Sequence, residues 1–422
     1  MSFASLGLAP SLLNAVAASG YATPTAIQAA AIPAILRGGD VLGRAQTGSG
    51  KTAAFALPLL QALLEAKGGA RQLRALVLVP TRELAVQVGE AIAALASHLP
   101  KPLKVATLFG GVSINPQMMG LRGGADIAVA TPGRLLDLFD HNALTLSALS
   151  MLVLDEADRL LDLGFSDEIG RILSLLPERR QNLFFSATFP PSVTALAGKV
   201  LRQPVRLEAG TAAADEPDIV QRAIAVDAPR RTQLLKQLIL QNQWSRVLVF
   251  VATKYAAMHV ADKLQRNGID AAAFHGEISQ GARSAVLADF KAGRLQVMVA
   301  TDVAARGIDI ALLPAVVNYD LPRSADDYTH RIGRTGRAGE SGVAVSFVSA
   351  GTEAHFRLIE KRQNVLVPRE RMAGFEPVDT APAQVSVSDT LNGGIKGGRK
   401  SKKDKLREAA ARDRSADELW FE

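Results

Sequence analysis

Eight consecutive residues, Ala45-Gln46-Thr47-Gly48-Ser49-Gly50-Lys51-Thr52, set the terms for the whole chain. An apolar run ending near Leu42 leads into them and a helix-forming run, Ala53 to Ala66, leads out, so the glycines fall at a strand-to-helix turn. Gly48 and Gly50 let the backbone wrap until several N–H groups point at one anion, and the new helix adds the positive end of its dipole. Lys51 supplies a mobile positive charge for β- and γ-phosphates, and the Thr52 hydroxyl is a hard oxygen suited to Mg²⁺. The usual pattern begins with Gly where this chain has Ala45, a difference of one methyl group. A turn of this kind requires a parallel sheet beneath it, because α/β sheets bind ligands beyond the carboxyl ends of their strands.

The text around the loop meets that requirement. Ala75 to Val79, Asp126 to Ala130, Met151 to Asp155 and Asn182 to Ser186 are short apolar runs, the mark of strands buried on both faces. A motif follows each: Pro80-Thr81-Arg82-Glu83-Leu84, Thr131-Pro132-Gly133-Arg134, Asp155-Glu156-Ala157-Asp158 and Ser186-Ala187-Thr188. Small and acidic residues then interrupt the alternation at 209–217, a linker. It restarts with strands expected at Arg246 to Val251, Ala271 to Phe274, Gln296 to Ala300, Ala315 to Tyr319 and Gly342 to Val348. The reading is α/β, with two tandem parallel-sheet domains over 1–208 and 218–368, the second without a phosphate loop. Beyond Pro368 the pattern fades into a basic tail, 369–422, in which Lys396, Arg399, Lys400, Lys402, Lys403, Lys405 and Arg407 crowd together. Such a run is ordinarily solvated surface, with a nonspecific nucleic-acid contact as the alternative.

Composition narrows the partners. A formal charge of +7 favours a polyanion, and aromatic residues at 5% are too scarce for a base-stacking platform, which points to gripping a sugar-phosphate backbone. The absence of cysteine excludes disulfides and thiolate metal sites, and six scattered histidines argue against zinc. No apolar run approaches the roughly 18 residues of a membrane span, and the amino end lacks the layout of a signal peptide, so a cytoplasmic, membrane-free protein is expected.

Three further segments carry chemistry. Asp155 ends an apolar strand beside the phosphate loop, the place of a metal carboxylate, and Glu156 lies near enough to orient or deprotonate water. Asp158 with Ser186 or Thr188 would hold that array in register. In His330-Arg331-Ile332-Gly333-Arg334-Thr335-Gly336-Arg337, both Arg334 and Arg337 can reach one anion, as arginine fingers or as a basic turn on nucleic acid. Near the amino end, Gln28 pairs with an adenine edge on one reading and caps a helix start on the other.

These motifs in this order, from Gly20-Tyr21 and Ile27-Gln28 through Ala-Arg-Gly-Ile-Asp at Ala305 to Asp309, resemble a DEAD-box ATP-dependent RNA helicase of compact bacterial type, over roughly Phe3 to Pro368. Ala45 agrees with that family. The resemblance implies two RecA-like domains with a nucleotide cleft between them, ATP and Mg²⁺ as cofactors, and RNA as partner, held by its backbone. It places Phe3, Tyr21 and Gln28 in the adenine-recognising segment (1–29), Lys51, Thr52, Asp155 and Glu156 at the hydrolytic centre, and Arg334 and Arg337 as fingers. Gly307 and Asp309 become nucleotide contacts of the second domain, and His330 joins Asp158, Ser186 and Thr188 in coupling. Thr81, Arg82, Gly110, Gly111, Thr131 and Arg134 become RNA contacts of the first domain, Arg283 and Thr301 those of the second. The activity implied is RNA-dependent ATP hydrolysis with local duplex unwinding. An ATP-gated RNA clamp or assembly platform and a DNA translocase stay open beside it. A monomeric core and ribosome-assembly or RNA-decay partners belong to the same expectation.

Overall fold

A computed structural model describes residues 2–45, 49–65, 71–208, 218–305, 308, 310, 312–336 and 341–378. Gln46, Thr47, Gly48, Gly307, Asp309, Arg337, the 209–217 linker and the basic run past Lys396 lie outside the described residues. The first sheet comprises β1 (Val41–Arg44), β2 (Ala75–Leu78), β3 (Val105–Leu108), β4 (Ile127–Ala130), β5 (Met151–Leu154), β6 (Gln181–Ser186) and β7 (Val205–Glu208). The second comprises β8 (Ile219–Ala225), β9 (Val247–Val251), β10 (Ala271–Phe274), β11 (Val297–Thr301), β12 (Ala315–Asn318), β13 (Gly342–Val348) and β14 (Arg369–Glu370). All neighbours pair in parallel, in the orders β3-β4-β2-β5-β6-β1-β7 and β10-β11-β9-β12-β13-β8-β14. The second sheet therefore repeats the first strand for strand, with β8 in the place of β1 and β14 in that of β7.

The apolar runs behave as their composition requires. β2, β4 and β5 are buried at every position, with helices covering both faces, as in the continuous hydrophobic strands of parallel sheets. The helix Lys51–Glu65 buries Ala54, Phe55, Leu57, Leu59 and Leu60 against one face of the first sheet. Each of the leucines and the phenylalanine contributes roughly 1.5–3 kcal/mol on burial.

Four strands were not expected: β3, β7, β8 and β14. β3 and β7 are edges with mostly half-buried or exposed positions, so neither carries an uninterrupted apolar run. β14 extends the second sheet past the expected boundary at 368. Arg222 on β8 pairs with Glu370 at 2.5 Å, and Arg369 forks onto Glu353 and Glu360 at 2.8–3.1 Å while lying 4.7 Å over the Phe356 ring. Those contacts hold a segment that polarity alone assigned to the tail. Among the described residues, no helix is long and apolar enough to cross a membrane.

Candidate nucleotide and RNA site

The first sheet gathers its polar motifs at the carboxyl ends of the strands. Lys51 opens its helix buried, with Nζ 3.6 Å from Asp155 Oδ1 and no hydrogen-bond acceptor among the described residues. An ammonium so placed, ion-paired with Asp155 but without a hydrogen-bond acceptor, is suited to an anion brought from outside. Asp155 is also buried, and burial is the main cause raising its pKa, with Lys51 opposing and Glu156 adding to the shift. A cation would relieve that repulsion, so the buried carboxylate with the Thr52 hydroxyl fits a hard divalent ion.

Glu156 adopts φ 51°, ψ 52°, left-handed backbone that a non-glycine residue enters only at a cost. Its N–H donates to Asp155 Oδ1 at 2.9 Å, and its Oε2 accepts from Arg159 Nη1 at 3.0 Å, both side chains being buried. Arg159 was not singled out in the sequence, although it directly follows the acidic motif.

Asp158, Ser186 and Thr188 form a closed ring of hydrogen bonds. Asp158 N–H donates to Ser186 Oγ at 3.2 Å, Ser186 Oγ donates to the Thr188 carbonyl at 2.7 Å, and the Thr188 N–H and hydroxyl both donate to Asp158 Oδ2 at 2.9 Å. The strand end of β6 is thereby tied to the acidic turn after β5.

Gln28 completes a capping box with Thr25: its Oε1 accepts from the Thr25 N–H at 3.0 Å. Its Nε2 donates to the Gly50 carbonyl at 3.1 Å. Gly50 has φ +88°, and a Cβ there would lie 2.5 Å from Gln28 Nε2, so glycine is what permits this approach. Among the described residues, one amide hydrogen and one lone pair of Gln28 have no further partner, the pair an adenine edge needs. Phe3 is buried in the hydrophobic core with its ring centroid 6.4 Å from that of Tyr21, and of the two rings Tyr21 is the exposed one.

A second cluster joins the ends of β2, β3 and β4. Thr81 caps the helix Arg82–Ala96 by accepting from the Leu84 N–H at 3.3 Å. The Arg82 guanidinium lies against Gly111, where a Cβ would approach within 2.0 Å, and Gly111 itself has φ +77°. Arg134, buried beside Thr131 at the start of its helix, donates to the Val112 carbonyl at 2.7 Å, while its Nη1 has no partner among the described residues. Arg82, Gly111, Thr131 and Arg134 thus form a cationic, backbone-lined ledge suited to phosphates.

The second sheet meets these residues at two places. Arg283 forms a buried ion pair with Glu83 at 2.8 Å and stacks 4.9 Å over the Phe274 ring; burial lowers its pKa and Glu83 opposes the shift. Glu83 is the second functional partner not assigned from sequence. Thr301 ends β11, one of the two strands against which Arg283's helix, Gln280–Lys291, packs. At the other place, Arg159 lines a cavity of about 20 Å³ with Asp302, Asp327, His330, Arg331 and Arg334. Arg331 is committed to structure, forking onto Asp302 at 2.6 and 2.7 Å and donating to Asn318 Oδ1 at 3.0 Å. Arg334 donates to the Ile308 carbonyl at 2.6 Å. His330 has its pKa pushed down to about 4, first by burial, then by Arg159 and Arg334, against the pull of Asp158 and Glu156.

Residues 25–196 match the DEAD/DEAH box helicase family model, and residues 230–339 match the helicase conserved C-terminal domain. The chain is 41% identical over 394 residues to the ATP-dependent RNA helicase DeaD of Mycobacterium tuberculosis, covering 93% of this chain and 69% of that one. It is 43% identical over 374 residues to DeaD of Escherichia coli K12, covering 89% of this chain and 59% of that one. It superposes on S. cerevisiae Dbp5 bound to RNA and ADP BeF3 with a TM-score of 0.78 at 32% identity, over 88% of this chain and 95% of Dbp5. Two sheets of identical topology, a phosphate loop on only the first, and these relatives together place the chain in the DEAD/DEAH box helicase family.

Proposed function

We propose that this chain is an RNA-dependent ATPase that separates short RNA duplexes locally, or remodels RNA–protein complexes, by closing its two halves on ATP and RNA together. The observation that carries the reading is the cavity lined jointly by Arg159 of the first half and Asp302, His330 and Arg334 of the second, beside buried Lys51, Asp155 and Glu156. The halves are taken as 1–208 and 218–368, joined by 209–217, with 369–422 following them.

In this reading Gln28, with Tyr21 and Phe3 behind it, holds adenine, and Ala45, Gln46, Thr47, Gly48, Ser49 and Gly50 wrap the phosphates while Lys51 neutralises them. Thr52 and Asp155 hold Mg²⁺, which when bound offsets the charge of the β- and γ-phosphates. Glu156 accepts a hydrogen bond from water and aims its oxygen at the γ-phosphorus. The new P–O bond forms as the bridging bond to the β-phosphate breaks, and ADP leaves with that electron pair. Arg334 and Arg337 neutralise the charge on the equatorial oxygens, and Gly307 and Asp309 contact the nucleotide from the second half. Thr81, Arg82, Gly110, Gly111, Thr131 and Arg134 grip RNA phosphates on one side, Arg283 and Thr301 on the other, with Asp158, Ser186, Thr188 and His330 linking the two ligand sites. Because both ligands favour closure, each raises the affinity of the other.

Residence in the cytoplasm, a monomeric core and partners in ribosome assembly or RNA decay belong to the same proposal. The test compares ATP turnover stimulated by RNA and by DNA of one sequence. Stimulation by RNA alone is expected, and equal stimulation by DNA would refute the RNA assignment.

A further inference from the structure

Glu156 occupies a strained backbone position, and its carboxylate needs a fixed direction if it is to aim a water molecule. The Asp155 carboxylate holds its N–H, but the side chain itself is held by Arg159 through a 3.0 Å bond between two groups each 4% exposed. Arg159 is in turn enclosed by residues of the second half, Asp302, Asp327, His330, Arg331 and Arg334, around a cavity that fits one water. Remove that cover and the same ion pair becomes a solvated i,i+3 contact on the short helix Ala157–Asp162, the kind that contributes little and orients poorly. The direction of the Glu156 carboxylate is therefore tied to whether the second half is in place.

We propose that Arg159 is a positioning residue: it aims Glu156 for hydrolysis only while the second half covers it, so that attack by water waits for closure. The proposal rests on the ATPase reading above and adds to it a device that suppresses hydrolysis in the open chain.

The test measures RNA-stimulated ATP turnover and RNA retention with a non-hydrolysable ATP analogue, on the full chain and on Arg159→Ala and Arg159→Lys. Arg159→Ala is expected to lower kcat by about 10- to 100-fold, a part of the roughly 10²–10⁴ a positioned base contributes, with KM for ATP and RNA retention within about threefold. Arg159→Lys, which keeps the charge without the fork, is expected to fall between. Wild-type kcat in Arg159→Ala overturns the proposal, as does a loss of RNA retention by the same factor as kcat, which would mean a structural role only. A wild-type chain that RNA does not stimulate overturns the ATPase reading itself, and this proposal with it.

Discussion

Glu83→Ala isolates the ion pair that joins the halves beside the ledge of Arg82, Gly111, Thr131 and Arg134. Glu83 and Arg283 approach to 2.8 Å with side chains only 6% and 8% exposed, and they come from different sheets. Removing one partner of a buried pair leaves an uncompensated charge, at a cost of about 3–5 kcal/mol. An RNA phosphate against the same guanidinium returns part of this, so about 2 kcal/mol remains as a penalty on the closed, RNA-bound arrangement. At about 1.4 kcal/mol per factor of ten, that is roughly a 30-fold loss of RNA affinity. With the halves apart, both groups regain water, and the unliganded chain loses nothing. The assay is fluorescence anisotropy of labelled RNA with a non-hydrolysable ATP analogue, alongside thermal unfolding of the free protein. RNA bound at wild-type strength, or a melting temperature that falls in step with affinity, would refute the reasoning.

Glu156→Gln keeps shape but removes the negative charge, so turnover should drop by about 10²–10⁴ while ATP-dependent RNA retention persists; normal hydrolysis in this variant would remove Glu156 from the mechanism. Gly43→Ala should destabilise by about 1–3 kcal/mol, because a Cβ on β1 would sit 2.6 Å from two carbons of the Phe185 ring on the paired strand. A melting temperature several degrees lower, partly recovered by adding Phe185→Leu, is the expected calorimetric result. His330 has its pKa held near 4 by burial with Arg159 and Arg334 nearby, against Asp158 and Glu156, while Asp302, Asp327 and Arg331 line the same cavity. A histidine freed by opening titrates near 6.5, so the open form binds more protons between those values. Closure is therefore undiminished above pH 6.5 and weakens as pH falls toward 4. RNA retention should show that slope in the wild type and a flatter one in His330→Gln.

How legible these features were depended on whether they were local. Strands with both faces covered, such as β5 (Met-Leu-Val-Leu) and β9 (Val-Leu-Val-Phe-Val), announce themselves as apolar runs. β7, Val-Arg-Leu-Glu at a sheet edge, does not, because three of its four side chains stay exposed. Asp155 and the Asp158–Ser186–Thr188 ring were readable because they follow the ends of β5 and β6, and Lys51 because it closes the glycine loop and opens the helix after β1. Arg159 directly follows one motif and Glu83 lies inside another, but their meaning lies in partners met only through packing: Glu156 one helical turn back, and Arg283 two hundred residues on. The two readings of Gln28 were both physical, and its amide serves the helix cap while touching the phosphate loop.

The repeated topology raises the question of why only one of two equivalent sheets carries a phosphate-loop sequence. β8 occupies the place of β1, and the helix after it opens with Arg231-Thr232 where the first opens with Lys51-Thr52. What differs is the loop before and the acid opposite. Val226-Asp227-Ala228-Pro229-Arg230 contains no glycine to wrap an anion, and Pro229 lacks the N–H that would face one. Arg231 already bonds Asp320 at 2.8 Å, the residue two past the end of β12 as Asp155 is one past β5, whereas Lys51 stands 3.6 Å from Asp155 with no acceptor. Tyr319 fills the remaining space with its hydroxyl 3.0 Å from Thr232, Arg230 lies over the Phe375 ring, and the Val378 N–H donates to Asp227 at 2.7 Å, so the segment after β14 closes over the loop. The second sheet thus engages Arg231, Thr232 and Asp227 internally, although Arg231 Nε and Asp227 Oδ1 have no partner among the described residues. The two copies of one topology differ in which of the corresponding groups already hold a hydrogen bond, Arg231 to Asp320 in the second and none for Lys51 among the described residues of the first.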